Sequence, residues 1–158
     1  MLFGSAMMTT NALDNTDDTI KDIGDNYRAS SPLAMGVGHV NLNNALEPGL
    51  IYDANAEDYV NLLCSLNYTM KQIQTITRTS TYNCLNSSSD LNYPSFIAFF
   101  NENVTSSDTK IVKFQRTVTN VGGDTSTYTI TLTPLDGFKV TVMPDTLKFT
   151  EKNQKLNY

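Results

Sequence analysis

The sequence predicts a mixed α+β chain in which a helical, turn-rich first part gives way near Asp90 to an unfinished antiparallel β-sandwich. Three observations predict it. Apolar residues recur at helical spacing behind two capping signatures between residues 55 and 77. After Asp90, β-branched and aromatic residues dominate and alternate with polar ones. Gly, Pro and Asn cluster in residues 30–49, ahead of the helical run, where the chain must turn.

Taken in order, Met1 to Met8 is apolar and reads as the start of a buried helix. No Lys or Arg precedes it and no small-residue cleavage site follows, so it does not read as a signal peptide. Residues 30–49 are rich in Gly, Pro and Asn and read as mostly turn and irregular structure. Asn55 is placed to cap a helix whose first turn carries Glu57 and Asp58, where the helix dipole favours acids. Ala56, Tyr59, Val60, Leu63 and Leu66 follow at helical spacing and should face a core. Thr69 and Gln72 fit a capping box for a second short helix running to about Thr77.

The second part reads as strands. Ser95 to Phe100 is one candidate, and Val112, Phe114 and Val118 share a face of another, with Arg116 interrupting the pattern. Residues 121–124 form a turn candidate; Tyr128, Ile130 and Leu132 then alternate with threonines. Phe138, Val140 and Val142 repeat the alternation, Pro144 punctuates it, and Leu147 and Phe149 open a further strand. This gives about five strands where such a sandwich has about seven. A further strand is expected where the sequence stops at Leu156-Asn157-Tyr158, so apolar surface and strand-edge groups should be left open.

The chain has 158 residues, enough for one ordinary domain or two small ones. A net charge of −5 with scattered Lys and Arg argues against a nucleic-acid partner, which needs a clustered basic face. No apolar run is long enough to span a bilayer, so no membrane partner is expected. Cys64 and Cys84 form an even pair that a disulfide could bridge, worth about 3 kcal/mol if formed. Asn67-Tyr68-Thr69, Asn86-Ser87-Ser88 and Asn103-Val104-Thr105 fit the N-glycosylation acceptor pattern. Together these features point to secretion; two free buried thiols in a cytosolic chain are the alternative.

The search for chemistry yields no catalytic, cofactor or metal site. His39, the sole histidine, lies in Gly36-Val37-Gly38-His39-Val40-Asn41 and reads as ordering a tight turn rather than as a general base. A nucleophilic site needs a Ser or Cys beside a base that a third group orients. Ser5, in Gly4-Ser5-Ala6, matches only a dipeptide of such a turn. One His and two Cys twenty positions apart give no zinc spacing. Gly36-Val37-Gly38 lacks the third glycine of a nucleotide-binding turn. Asp17-Asp18 and Glu57-Asp58 read as solvated acids or a helix start, and Lys71 and Arg78 lack the aromatic setting of a single-strand nucleic-acid groove.

Five stretches, in order along nearly the whole chain, resemble the plant subtilases, the cucumisin-like serine proteases. Ser5-Ala6-Met7-Met8-Thr9-Thr10 resembles the family's S-A-L-M-T-T, and Gly36-Val37-Gly38-His39-Val40-Asn41 resembles G-A-G-H-V-N. Residues 45–53 resemble A-L-D-P-G-L-V-Y-D. Residues 90–96 match D-L-N-Y-P-S-F, and residues 116–122 match R-T-V-T-N-V-G. The departures are Leu42, where the family often has Pro, and Met1 to Gly4, where it tends to polar helix formers.

The resemblance implies that residues 1–88 are the C-terminal end of a subtilisin-like α/β peptidase domain. It implies that residues 89–158 are a fibronectin type III-like antiparallel β-sandwich, incomplete at its C-terminus. It further implies an extracellular parent enzyme, in the cell wall or apoplast, whose catalytic Asp, His, Ser and oxyanion-hole Asn lie upstream. His39 belongs to the G-H-V motif and is not the catalytic histidine. The expected function is a structural part of a secreted serine endopeptidase, partnered by the upstream catalytic domain; a non-catalytic β-sandwich binding module is the alternative. No cofactor is implied, and the oligomeric state stays open.

Overall fold

The computed structural model describes residues 2–10, 20–98, 100, 110–132, 135 and 137–158; Asp17, Asp18 and Asn103 lie outside the described residues. In chain order the elements are helix α1 (Leu2–Thr9), strand β1 (Lys21–Asp22), a 3-10 turn (Ile23–Asp25) and β2 (Arg28–Ala29). There follow α2 (Pro32–Met35), α3 (Leu42–Ala45), β3 (Leu50–Tyr52), α4 (Ala56–Ser65) and α5 (Met70–Thr77). The last four are β4 (Thr117–Asn120), β5 (Ser126–Thr129), β6 (Thr146–Phe149) and β7 (Lys155–Asn157). Every strand pairing is antiparallel, in three small sheets: β1-β2, β3-β4-β7 and β5-β6. Contacts divide the chain into two compact units, Ala54–Arg116 and a unit made of Met1–Asp53 with Thr117–Tyr158. The division at 88/89 is the one the family resemblance implies, whereas these units follow spatial proximity.

The unit 54–116 is built on a helical hairpin. Asn55 Oδ1 accepts the backbone N–H of Glu57 at 2.7 Å and of Asp58 at 3.1 Å, and Asp58 Oδ2 accepts the N–H of Asn55 at 2.8 Å. This closed capping box satisfies donors that the first turn of α4 cannot pair internally. Thr69 and Gln72 do the same for α5: Thr69 Oγ1 accepts from Gln72 N, and Gln72 Oε1 accepts from Thr69 N at 2.8 Å. Between them α4 stops at Asn67, whose φ of 62° is a left-handed conformation that asparagine tolerates. Tyr68 N–H then reaches back to the Leu63 carbonyl at 3.1 Å, closing the helix end. Val60, Cys64 and Ile73 form the buried core of this hairpin, flanked by Leu63 and Tyr82.

In the second unit, β4 is the central strand, pairing Val118 with Tyr52 of β3 and with Leu156 of β7. Helix α1 packs on β3 and α3. Its apolar sequence predicts a buried helix, but only Ser5 and Ala6 among its described side chains are buried, while Phe3 is 87% exposed. One face of α1 meets β3 and the other meets nothing described, so exposure follows contact rather than hydropathy. Two one-turn helices occupy part of the 30–49 segment, with Gly36 at φ 57° and Gly38 at 106° between them and Gly49 at 69° in the turn leading into β3.

The strands expected from alternation form only in part. Ser126–Thr129 pairs with Thr146–Phe149, and Ile130 N–H donates to the Asp145 carbonyl at 2.9 Å, but Leu132, Phe138 and Val140 are exposed and in no strand. The described residues of Ser95 to Phe100 are likewise not a strand. Alternation specifies two faces; it does not supply the neighbouring backbone that makes a strand.

Packing separates the residues that should matter. Ile73 has no exposed surface, so Ile73→Ala should cost about 2–5 kcal/mol, whereas Ile76→Ala on the open face of α5 should cost under about 0.5 kcal/mol. Thr119 Oγ1 is buried with no hydrogen-bond partner, so Thr119→Val should be neutral or stabilising. Urea unfolding midpoints of the three variants of the full chain check this ordering.

Candidate functional site

Ser5, Arg116 and Asn120, three motif residues with chemically capable side chains, are engaged in holding backbone. Ser5 sits in the middle of α1, 3% exposed, and its Oγ accepts the backbone N–H of Tyr52 at 2.7 Å. That bond satisfies a donor of strand β3, and the hydroxyl is turned toward the sheet rather than toward an open surface. At the end of the same helix Thr9 Oγ1 donates to the Ser5 carbonyl at 3.0 Å and Thr10 Oγ1 to the Ala6 carbonyl at 2.6 Å. The Ser-Ala-Met-Met-Thr-Thr run is thus a helix that fixes a strand at one point and closes its own last carbonyls with hydroxyls. An open polar depression of about 510 Å³ lies beside it, lined by Thr9, Thr10, Asn43, Asn44 and Glu47.

His39 is exposed, two residues before Asn41, whose Oδ1 caps α3 by accepting Asn44 N–H at 3.1 Å. Among the described residues no hydrogen bond joins His39 to a serine, cysteine or acid, and no group of three or more His, Cys, Asp and Glu could hold a metal ion. No described helix is long and apolar enough to cross a membrane.

The strongest polar constellation is centred on Arg116, 4% exposed. Its Nε donates to the Tyr93 carbonyl at 2.8 Å, Nη2 to the Ser95 carbonyl at 2.9 Å, and Nη1 to the Gln115 carbonyl at 2.8 Å and to Asp90 Oδ1. Asp90 Oδ2 accepts Gln115 N–H at 2.8 Å, so both carboxylate oxygens are used. The guanidinium lies 4.5 Å from the Phe96 ring centre and 5.6 Å from that of Phe114, and the two rings meet edge to face at 5.4 Å. The Asp90-to-Phe96 motif therefore wraps the arginine of the next motif. Sequence reasoning treats Arg116 as an interruption of a strand; the missed signal is that a buried arginine inside an apolar alternation needs a carboxylate and carbonyls as partners, which Asp90-Leu91-Asn92-Tyr93-Pro94-Ser95 supplies.

Asn120, with no exposed surface, is the counterpart in the other unit. Its Nδ2 donates to the Gly123 carbonyl at 2.8 Å and the Glu151 carbonyl at 3.1 Å, and its Oδ1 accepts Gly122 N–H at 3.2 Å. Val121 N–H and Gly122 N–H both donate to the Gly49 carbonyl, at 2.8 and 3.2 Å. A Cβ on Gly49 would stand 2.6 Å from Tyr128 Oη, and one on Gly122 would stand 3.4 Å from Gly49 Cα. The two motif glycines are there because the chains cross at backbone distance.

Cys64 and Cys84 are joined in a disulfide with Cα atoms 5.5 Å apart, tying the buried face of α4 to the segment after α5. Asn67 and Asn86 are both exposed, at the end of α4 and in the turn after Cys84. The Tyr59 phenol is held above its usual value by burial, with Tyr93 and Asp58 adding to the effect.

Residues 90–158 match the family described as Fibronectin type-III domain. The chain is 52% identical over 157 residues to Subtilisin-like protease SBT3 of Solanum lycopersicum, covering 98% of this chain and 20% of that protein. It is 38% identical over 160 residues to Subtilisin-like protease SBT1.3 of Arabidopsis thaliana, with the same coverage. It is 45% identical over 130 residues to Subtilisin-like protease SBT1.9 of Arabidopsis thaliana, covering 81% of this chain and 17% of that protein. The chain therefore spans about a fifth of the length of the curated relatives it matches.

Two substitutions test the scaffolding role. Arg116→Ala should cost about 3–5 kcal/mol, because it removes the partner of Asp90 and of three carbonyls, and Arg116→Lys should recover little of it, since one ammonium cannot serve all three carbonyls and the carboxylate. Gly49→Ala should destabilise by both its positive φ and its clash. Adding Tyr128→Phe should return only the part due to the hydroxyl, as read from a double-mutant cycle of unfolding free energies.

Proposed function

We propose, on the premise that this chain belongs with the plant subtilisin-like proteases it matches over 98% of its length, that it is a structural part of a secreted serine endopeptidase and does not hydrolyse peptide bonds by itself. In this reading residues 1–88 close the α/β peptidase domain and residues 89–158 belong to its fibronectin type III-like β-sandwich domain. The parent enzyme cleaves polypeptides by acyl transfer outside the cell, in the cell wall or apoplast. Its nucleophile, base and oxyanion donor stand on an upstream catalytic domain, which is this chain's natural partner.

One observation carries the proposal: Ser5, the serine placed most like a nucleophile by its neighbours in sequence, is buried and spends its Oγ on the Tyr52 N–H. A serine nucleophile needs an open approach and a base to take its proton. Ser5 has a backbone donor instead. Arg116 and Asn120, which could serve as oxyanion donors in another setting, are consumed in the same way by Tyr93, Ser95, Gly123 and Glu151. What these groups do is hold loops and strands in place.

The purified chain should neither turn over a peptide substrate nor take up a fluorophosphonate serine probe. Co-expression with the upstream part of a relative such as the Solanum lycopersicum protease should give labelling on the upstream serine alone. Ala6→Asp, which buries a charge where α1 meets β3, should lower the recovered activity about tenfold or more, as expected for an unpaired buried charge. Labelling of a defined serine within this chain would overturn the proposal.

A further inference from the structure

We propose that Asn67 and Asn86 are N-glycan acceptors filled only while the Cys64–Cys84 bridge is open, so that closing the disulfide ends their modification. The inference rests on the secretory reading above.

The two asparagines frame the disulfide in sequence: Asn67 stands three residues after Cys64, and Asn86 two residues after Cys84. Both are exposed, and among the described residues neither side-chain amide has a hydrogen-bond partner. That sets them apart from Asn55, Asn83 and Asn120, whose side chains hold backbone N–H groups. A glycan on either amide would stand in solvent and break no contact. The folded chain can therefore carry the modification.

The folded chain is a poor substrate for receiving it. The acceptor motif needs the hydroxyl two residues after the asparagine, presented by a locally flexible segment to the transferase. Around Asn67 nothing is free to adapt. Its φ is fixed at 62° and its N–H bonds to the Cys64 carbonyl at 3.0 Å. The Thr69 hydroxyl donates to Gln72 Oε1 at 2.9 Å and accepts from Gln72 N in the capping box of α5. Around Asn86 the required hydroxyl is that of Ser88, which accepts Asp90 N–H at 3.2 Å, while Ser88 N–H is bound to the Asn61 carbonyl of α4 at 3.1 Å. The bonds around Asn67 and Thr69 are local, and the disulfide adds a covalent tie from α4 to Cys84, which opens the turn that carries Asn86. With the bridge open, the loop from Cys64 to Cys84 that contains Asn67 regains the conformational freedom that closure removes, and the turn with Asn86, just outside that loop, loses its covalent tie to α4.

The step is an ordinary group transfer. The asparagine Nδ2 attacks the anomeric carbon of a lipid-pyrophosphate-linked oligosaccharide. The carbon–oxygen bond to the pyrophosphate breaks as the carbon–nitrogen bond forms. The amide loses one proton to a base of the transferase, and the lipid pyrophosphate leaves.

The test presents unglycosylated full-length chain to oligosaccharyltransferase-containing microsomes in two states: oxidised, and reduced with both thiols alkylated. Asn103→Gln in both samples restricts the readout to two sequons, which glycopeptide mass spectrometry follows separately. The reduced chain should accept glycan at Asn67 and Asn86, each abolished by its own Asn→Gln change. The oxidised chain should be modified about tenfold or more slowly at both, as expected where the acceptor must first open from a closed unit. Equal rates in the two states would overturn the order of events, and transfer to neither asparagine in the reduced chain would overturn the sites. Neither result depends on protease activity, so failure here is distinct from failure of the complementation experiment.

Discussion

A polar group taken out of water must find its hydrogen bonds inside the protein, and this requirement, applied to two side chains four residues apart, decides where the loops of each unit go. Arg116 collects three carbonyls and a carboxylate, and Asn120 collects two carbonyls and an amide. Such groups cost several kcal/mol when left unpaired, so a loop that supplies their partners is held far more tightly than its own turn propensity would hold it. The segment from Asp90 to Phe96 has no regular secondary structure, yet it is specified because it is the wrapping of a guanidinium.

The same principle explains why motifs that run along the chain as separate words form pairs in space. Ser5 reaches the strand that follows Gly49, and that strand lies on the one ending at Asn120. Asp90, Tyr93 and Ser95 enclose Arg116. Ser5 brings a side chain to a backbone donor, and Arg116 brings one to carbonyls and a carboxylate. The hydroxyl of Ser5 and the donors of Arg116 and Asn120 are thus committed to architecture.

Much of this was open to inspection in the sequence, and the boundary of what was open is instructive. Both helices of the hairpin could be read because their signals are local: Asn55 with its acids, and Thr69 with Gln72, need only three or four residues to act. The cysteine pair could be proposed by parity and spacing. The strands were less legible. Ile130, Leu132, Phe138 and Val140 alternate, but pairing depends on a neighbour elsewhere in the chain, and most of these side chains stand in solvent instead. Ser95 to Phe100 was misread for a different reason: the Ser95 carbonyl is spent on Arg116, not on a ladder. Of the candidate site, the engagement of Ser5, Arg116 and Asn120 was not legible, because the distant members of their partner sets lie 47, 21 to 26 and 31 positions away.

The crossing at Gly49 and Gly122 has a practical corollary for anyone recombining related sequences. Strand β3 and its partner β4 are separated by more than sixty residues in the gene but touch main chain to main chain, with Tyr128 closing over them. A chimaera whose junction falls between these segments draws the two glycines and the tyrosine from different parents, and a single bulkier residue in one parent then wedges the strands apart. Libraries built by swapping the region between residues 54 and 116 as one cassette keep that contact within a single parental background, and should yield more folded members than libraries cut anywhere inside it.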